Sequence, residues 1–329
     1  MRLAAGFEQR DVVLDGVRLH YAEGPKAGPA VVLIPGQSMP LESYRKVLPR
    51  LRPFFHVFAL DVRGHGRSQH KPGEYSFARC GRDLVRFLDE VVREPAFVCG
   101  NSSGGLIALW AGANAPGLVR GVLLEDPPLF SAEWPRMRDD TWVYRFFVHV
   151  VDTLPDLSGF FSTLTVPTQG HKRLITFPRP LAWLLGKSIR KHQRAHPGAP
   201  VDLWWLPLHV RLFVRGLSEY DVDFTRACTD GRMCDMDHGA ALARLQCPAT
   251  LMQASSFRHP ELGLVGAMAD EDVARAQGLV PSLRVVRLDS PHVVHIASPR
   301  RYVEELVALS VRSQLQTGAR PKGGHTTTT

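Results

Sequence analysis

Short apolar runs alternate with stretches of helical spacing in the first third of the chain. The runs that follow the first hairpin are apolar at consecutive positions, as strands buried on both faces are. Asp15 and Gly16 join the first two strands as a hairpin turn. The pattern therefore predicts a mostly parallel sheet that is covered by helices on both faces. Its strands are predicted at 12–14, 18–21, 30–34, 57–60 and 96–99, and its first helices at 41–51 and 77–92.

The alternation stops after one more buried strand, at 119–124, and resumes at residue 249. The intervening segment is rich in Trp and Phe and contains no clear buried strand, so we predict that it is an inserted helical cap. A strand at 249–253, a helix at 270–277, a strand at 283–288 and a helix at 299–312 complete the pattern. We expect core segments at 1–128 and 241–312, the cap at 129–240, and a polar, disordered tail at 313–329.

Composition limits the class of protein. With 329 residues, 44% hydrophobic and 22% charged, the chain fits one large α/β domain with an insertion. No apolar run approaches the roughly 18 residues that span a bilayer, and the N-terminus lacks the apolar segment of a secretory signal. Five cysteines without a C-x-x-C pair are typical of reduced thiols. We therefore expect a cytoplasmic protein, and the sequence does not indicate its oligomeric state.

The formal net charge is +8, but the arginines are scattered and no nucleic-acid-binding motif accompanies them, so we expect no nucleic-acid partner. Basic residues are concentrated around the apolar run 181–185. An amphipathic helix on an anionic membrane surface would have this pattern. A solvated helix face is the commoner structure and is our expectation, with no stable membrane insertion. The basic residues are Lys172, Arg173, Arg179, Lys187, Arg190, Lys191 and Arg194.

Ser102 is a candidate nucleophile. It lies at the centre of Gly-Asn-Ser-Ser-Gly, residues 100–104, between the predicted strand 96–99 and a helix-like stretch. A serine at a sharp strand-to-helix turn presents its hydroxyl at the sheet edge, and small neighbours avoid collisions there. The first N–H groups of the helix would stabilise negative charge on a substrate oxygen. The alternative is a glycine-rich turn capped by serine.

A serine nucleophile needs a base, and His292 lies between the last predicted strand and the last helix, where side chains meet at the carboxyl edge of the sheet. His295 is the competing candidate, but His292 is nearer the strand. No third ligand accompanies this His-x-x-His pair, and Cys228, Cys234 and His238 form only a loose zinc-like set. We therefore expect no metal ion.

The base in turn needs an acid, and Glu125 and Asp126 end the strand at 119–124. Three motifs now resemble the α/β-hydrolase superfamily, in the family's order along the chain. They are an oxyanion loop at Ile34–Gln37, a glycine-rich turn at Asp61–Ser68 and the nucleophile turn at Gly100–Gly104. The resemblance covers residues 12–312. It implies an α/β-hydrolase fold, with a mostly parallel central sheet and an inserted helical cap, and no cofactor.

The resemblance also implies roles for individual residues. Backbone N–H groups of Gln37 and Ser103 would form the oxyanion hole. Most relatives carry the acid after the strand here predicted at 249–253, where this chain has no carboxylate before the late Glu261. A minority carry it at the end of the sixth strand, the position of Asp126. The resemblance therefore favours Asp126, with Glu125 in reserve because a one-residue shift exchanges their faces.

The expected reaction follows from the serine, because relatives that open epoxides or displace halide use a carboxylate instead. We expect hydrolysis of an ester or lactone of a bulky, largely apolar small molecule through an acyl-enzyme on Ser102. Within the superfamily the chain resembles lactone-opening esterases of the macrolide esterase or zearalenone lactonase type, and the macrolide esterase type would imply a role in antibiotic resistance. A carbon–carbon bond hydrolase, a lyase and a non-catalytic ligand receptor are the alternatives.

Overall fold

A central sheet organises the computed structural model, which describes residues 3–167, 175–176 and 178–318. The strands are β1 (Glu8–Leu14), β2 (Val17–Glu23), β3 (Ala30–Ile34), β4 (His56–Leu60), β5 (Ala96–Asn101), β6 (Val119–Glu125), β7 (Thr165–Val166), β8 (Ile175–Thr176), β9 (Ala249–Gln253), β10 (Phe257–His259), β11 (Gly263–Val265) and β12 (Arg284–Arg287). Eight of them form one sheet in the order β1-β2-β4-β3-β5-β6-β9-β12. Only β1–β2 and β2–β4 are antiparallel in it, so the predicted mostly parallel sheet is confirmed.

The helices cover both faces of this sheet and fill the insertion. They are α1 (Leu48–Leu51), α2 (Phe77–Phe87), α3 (Ser103–Asn114), α4 (Arg136–Asp140), α5 (Trp142–Thr153), α6 (Leu157–Thr163), α7 (Arg179–Ala195), α8 (Leu208–Ser218), α9 (Val222–Thr229), α10 (His238–Ala243), α11 (Asp270–Leu279), α12 (Val294–Ala297) and α13 (Pro299–Gly318). A 3₁₀ turn at Leu41–Lys46 precedes α1, and a π turn at Leu88–Val92 continues α2. Both predicted early helices are therefore present, each in two pieces.

Strand β3 shows why the central strands are apolar throughout. All five of its residues are buried. Val32 and Ile34 pack into the cluster that contains residues of α2 and α3, whereas Val31 and Leu33 pack into the opposite cluster with residues of α1 and α13. Because alternate side chains of a strand point to opposite faces, a sheet covered on both sides leaves no polar position in such a strand.

The segment between β6 and β9 contains α4 to α10 and the small β7–β8 pair, in the region predicted as a helical cap. Three aromatic rings, of Phe146, Phe160 and Phe213, meet with centroids 6.1–6.2 Å apart and join α5, α6 and α8. These rings form a core of the cap itself. Helix α10 spans the predicted cap boundary at residue 240 and packs against α3 and α11.

The end of the chain differs from the sequence prediction. Helix α13 continues to Gly318. The sequence predicts instead that this helix ends at Arg312 and that a disordered tail begins at Ser313. Ser313 is buried and its hydroxyl donates a hydrogen bond to the carbonyl oxygen of Arg120, so this polar residue extends the helix against β6. Residues 319–329 of the predicted tail lie outside the described residues, as do Lys172 and Arg173. No helix within the described ranges is long and apolar enough to cross a membrane.

Candidate active site

Ser102 occupies the turn between β5 and α3. Its backbone has φ 54° and ψ −123°, a strained conformation for a residue with a side chain. A Cβ added to Gly100 would clash with the carbonyl oxygen of Gly104, so the strand and the helix can approach this closely only with glycine at position 100. The Ser102 N–H donates a hydrogen bond of 2.9 Å to the carbonyl oxygen of Glu125 on β6. The serine therefore lies at the apex of the strand–turn–helix unit that its motif predicts.

His292 and Asp126 form a direct pair at the same edge of the sheet. The distance between His292 Nδ1 and Asp126 Oδ2 is 2.6 Å. The other carboxylate oxygen, Oδ1, accepts a hydrogen bond of 3.0 Å from the N–H of Ala254 at the end of β9. Both oxygens of Asp126 are thus oriented, and Nε2 is the nitrogen of His292 that is left to exchange a proton.

The surroundings of His292 change its pKa. Its side chain lines a cavity and keeps 44% of its surface accessible. Because protein surrounds that cavity, the ring is less well hydrated than it would be on the outer surface. Partial removal from water lowers the pKa of His292, whereas the hydrogen bond and the negative charge of Asp126 raise it. The loss of water is the largest single effect, but the hydrogen bond and charge of Asp126 together with the charge of Glu125 outweigh it, so the pKa of His292 lies above its ordinary value.

Glu125 and His295 pair with each other instead. Both are buried, and Glu125 Oε1 accepts a hydrogen bond of 2.8 Å from the backbone N–H of His295. The distance between His295 Nδ1 and Glu125 Oε2 is also 2.8 Å, and the ring of Tyr44 stacks on His295 with centroids 4.1 Å apart. The competing base and the reserve acid of the sequence analysis therefore form a second buried pair, separate from His292 and Asp126.

A cavity of about 300 Å³ adjoins Ser102 and His292. Its walls are mostly apolar and come from α4, α5 and the β10–β11 hairpin, together with the segment after α9. The apolar lining includes Met137, Trp142, Val143, Phe147, Met233, Phe257, Val265 and Ala267. The hairpin was missed by the sequence analysis. It follows β9, and the late Glu261 lies exposed in its turn, away from the cavity lining.

The predicted oxyanion loop lies beside Ser102. A Cβ added to Gly36 would come within 3.0 Å of Ser102 Cβ, so glycine permits this close approach. The Gln37 side chain is held by a hydrogen bond of 2.9 Å from its Nε2 to Thr225 Oγ1 on α9. Ser103 is the first residue of α3, and its N–H therefore has no acceptor within the helix. Gln37 and Ser103 both line the cavity with Ser102.

Two cysteines also line this cavity, but neither is a strong nucleophile at neutral pH. Burial raises the pKa of Cys228 well above its ordinary value and raises that of Cys234 to about 11. His238, the third member of the zinc-like set, accepts a hydrogen bond of 2.8 Å at Nδ1 from the N–H of Phe130. Across residues 3–167, 175–176 and 178–318, no group of three His, Cys, Asp or Glu side chains is placed to hold a metal ion.

Asn101 is a contributor that sequence reasoning missed. Its side-chain Nδ2 donates hydrogen bonds of 3.2 Å to the carbonyl oxygen of His292 and of 3.4 Å to that of Glu125. It thereby connects the turn that carries Ser102 to the loop that carries His292. A polar residue at the buried end of an apolar strand was the available signal, because such a group requires a hydrogen-bond partner.

Comparisons with known proteins agree with this architecture. Residues 29–179 match the sequence profile of the α/β hydrolase fold. N-formylmaleamate deformylase of Pseudomonas putida is 36% identical over 121 residues, which cover 36% of this chain and 45% of that protein. The matched region thus spans less than half the length of this curated relative.

Two solved structures resemble most of the chain. A hydrolase from Pseudomonas aeruginosa PA01 has a TM-score of 0.64 at 23% identity and covers 93% of this chain and 99% of that one. The enol-lactonase from Burkholderia xenovorans LB400 has a TM-score of 0.56 at 16% identity, with coverage of 92% and 100%. At these identities the likeness establishes the fold alone. Together with the sheet order, the insertion after β6 and the sequence match, it shows that this chain has the α/β-hydrolase fold.

Proposed function

We propose that this protein is a serine hydrolase that cleaves a carboxylic ester or lactone of a largely apolar small molecule. The observation that carries the proposal is the 2.6 Å contact between His292 and Asp126 at the cavity that Ser102 also lines. A serine hydroxyl is a weak nucleophile at neutral pH. An adjacent base that is oriented by a third group activates it.

In the proposed reaction, Ser102 Oγ attacks the substrate carbonyl carbon while His292 Nε2 takes the hydroxyl proton. Asp126 stabilises the resulting imidazolium, and the N–H groups of Gln37 and Ser103 bind the oxyanion. The intermediate collapses, the alcohol leaves with the proton from His292, and an acyl-enzyme remains. Water activated by His292 then releases the acid. With a lactone, the alcohol and the acid stay in one molecule, so the product is a hydroxy acid.

The cavity supports an apolar substrate of moderate size. Its lining is dominated by Met, Phe, Trp and Val side chains, which favour esters with hydrocarbon or aromatic groups. Its volume of about 300 Å³ lies at the lower end of the range of about 300–1,000 Å³ for sites that hold drug-sized ligands. A large ring such as a macrolide would therefore require the cap to move.

Covalent labelling and hydrolysis test the two parts of this proposal separately. Wild-type protein, Ser102→Ala and Ser255→Ala are treated with a fluorophosphonate and analysed by intact mass. Ser255 is the matched control because it is another serine that lines the cavity. We expect one adduct on wild type and Ser255→Ala and none on Ser102→Ala. Labelling of Ser102→Ala would show that the nucleophile is another residue.

The same proteins are then incubated with apolar aryl esters, medium-ring lactones and macrolides. The gain of one water by a lactone, with wild type and not with Ser102→Ala, would support the proposed reaction. A labelled Ser102 without hydrolysis of any ester or lactone would overturn the substrate class. Vinylogous diketones and cyanohydrins then test the carbon–carbon hydrolase and lyase alternatives. Binding of these compounds without turnover would instead indicate a receptor.

A further inference from the structure

Helix α7 is an outer helix of the cap, and only one of its faces packs inward. Ala182, Leu185 and Ile189 are buried, at the spacing of a single helix face, and the helix packs against α6. Arg190 extends this contact through a hydrogen bond of 2.6 Å to Ser158 Oγ on α6. The remaining faces of α7 lie on the surface of the cap.

The first half of α7 exposes large apolar side chains. Trp183 is 62% exposed, and Leu181 and Leu184 are exposed beside it in the sequence. Trp204, in the segment between α7 and α8, is 80% exposed. Single exposed apolar residues are common on soluble proteins, but three large ones within four positions, with a tryptophan among them, are typical of a surface that contacts another apolar phase.

The second half of α7 is strongly basic. Four cations, Lys187, Arg190, Lys191 and Arg194, line one open depression of the surface. In the part of the chain that the structure describes, none of the four forms an ion pair with a carboxylate. The sequence explains this in part, because residues 157–201 contain no Asp or Glu. Positive charge on this surface is therefore not neutralised locally.

The apolar and basic halves are directly connected. Lys187 Nζ lies 5.1 Å from the centre of the Trp183 ring, so a cation and an exposed aromatic side chain occupy the same patch. The surface formed by Leu181, Trp183, Leu184, Lys187, Arg190, Lys191 and Arg194 is called the α7 surface below. A polyanion such as nucleic acid would neutralise its charge but would leave the Leu and Trp side chains in water. A lipid interface accepts both, because headgroups bind the cations and the acyl boundary accepts the apolar side chains.

We propose that the α7 surface docks the cap onto an anionic membrane surface, with Trp183 and its leucine neighbours at the acyl boundary and the four cations among the headgroups. This contact is peripheral and involves no membrane-spanning segment. The sequence alone favoured a solvated helix face. The exposed tryptophan and leucines next to unneutralised cations are the structural observation that changes this interpretation. The proposal concerns the outer surface of the cap and does not depend on the reaction at Ser102.

Vesicle binding by the full chain tests the proposal. Sedimentation with phosphatidylcholine vesicles is compared with sedimentation with vesicles that also contain phosphatidylglycerol. We expect binding at least tenfold tighter to the anionic vesicles, with a blue shift of tryptophan fluorescence. Binding should weaken as salt rises, because ions screen the headgroup charge. Equal binding to the two kinds of vesicle, or no binding to either, would overturn the proposal.

A charge-reversal pair provides the matched control. Lys187→Glu with Lys191→Glu changes the α7 surface, whereas Arg50→Glu with Arg52→Glu makes the same change in net charge at exposed core positions next to the exposed Phe54. Because each basic residue near an anionic surface strengthens binding about fivefold, we expect the loss of two from the α7 surface to weaken it about 25-fold or more, and the core pair to weaken it by less than threefold. Equal losses in the two variants would refute the α7 surface as the docking site.

A second variant separates docking from simple charge attraction. Trp183→Ala should weaken binding to anionic vesicles and reduce the fluorescence shift, and Phe54→Ala should do neither. All these positions are exposed, so thermal unfolding should stay within a few degrees of wild type. If Trp183→Ala leaves both readouts unchanged, or if the protein binds short duplex DNA as tightly as vesicles, the lipid assignment is wrong.

Discussion

Replacement of Asp126 by asparagine tests the proposed triad, because it should change which ring nitrogen of His292 carries the proton. The Ala254 N–H donates to Oδ1 of Asp126, and this hydrogen bond should hold the asparagine oxygen in the same place. The asparagine Nδ2 would then face His292 Nδ1, so two donors would meet. The imidazole relieves this conflict by moving its proton to Nε2. In that tautomer it cannot accept the proton of Ser102.

The expected loss is large because the base itself is disabled while the geometry is retained. In serine triads, the same acid-to-amide change that imposes the wrong tautomer lowers kcat by about 10⁴, which corresponds to about 5.5 kcal/mol of transition-state stabilisation. We expect a loss of this size for Asp126→Asn. KM should change little, because Asp126 faces His292 and does not line the cavity.

Steady-state hydrolysis of an aryl ester measures the effect, with Glu125→Gln as the control. Glu125 is the adjacent buried carboxylate, but its partner is His295, whose Nε2 has no hydrogen-bond partner among the described residues. That ring can change tautomer without loss of another contact, so kcat of Glu125→Gln should fall by less than tenfold. If Asp126→Asn keeps more than a tenth of wild-type kcat, or if Glu125→Gln loses as much, Asp126 is not the acid of the triad.

Three further predictions concern pH and stability. Because Asp126 raises the pKa of His292 and only the neutral ring accepts a proton, kcat/KM should fall with decreasing pH around a midpoint above 6.5; a midpoint below 6 would contradict this. Arg63→Ala should lower the free energy of unfolding by about 3–5 kcal/mol in urea titrations, because it leaves buried Asp83 without its two hydrogen bonds of 2.5 and 2.6 Å; a loss under about 1 kcal/mol would refute that role. Gly100→Ala should cost about 3 kcal/mol or more, since its methyl group would clash with the carbonyl oxygen of Gly104, and an unchanged melting temperature would exclude this clash.

The sheet could be predicted from the sequence because its central strands are buried on both faces. Strand β3 is apolar at every position for that reason, and β9 begins and ends at the predicted residues. The β10–β11 hairpin could not be predicted. Each of its strands has three residues, which is too short for a period of two to emerge.

Local backbone geometry explains why the sequence left Glu125 and Asp126 open as acids. Neighbouring residues of a strand point to opposite faces, so the assignment depends on where β6 ends. The strand ends at Glu125, and Asp126 adopts a positive φ of 44° in the next position. That turn brings its carboxylate to His292, while Glu125 stays in strand geometry and pairs with His295. Side-chain identity alone does not encode this choice.

The position of the proposed acid has a consequence for the rest of the site. Because Asp126 follows β6, the segment after β9 does not have to supply a carboxylate to His292. Ala254 supplies a backbone N–H to Asp126 there, and the chain then turns into the β10–β11 hairpin, where Phe257 and Val265 line the cavity. Leu264 of this hairpin forms a β-bridge with Thr141, the residue before α5. The segment after β9, where the resemblance in the sequence would most often imply the acid, thus forms an apolar wall that is attached to the cap, so the shape of the cavity and the placement of the cap are set together.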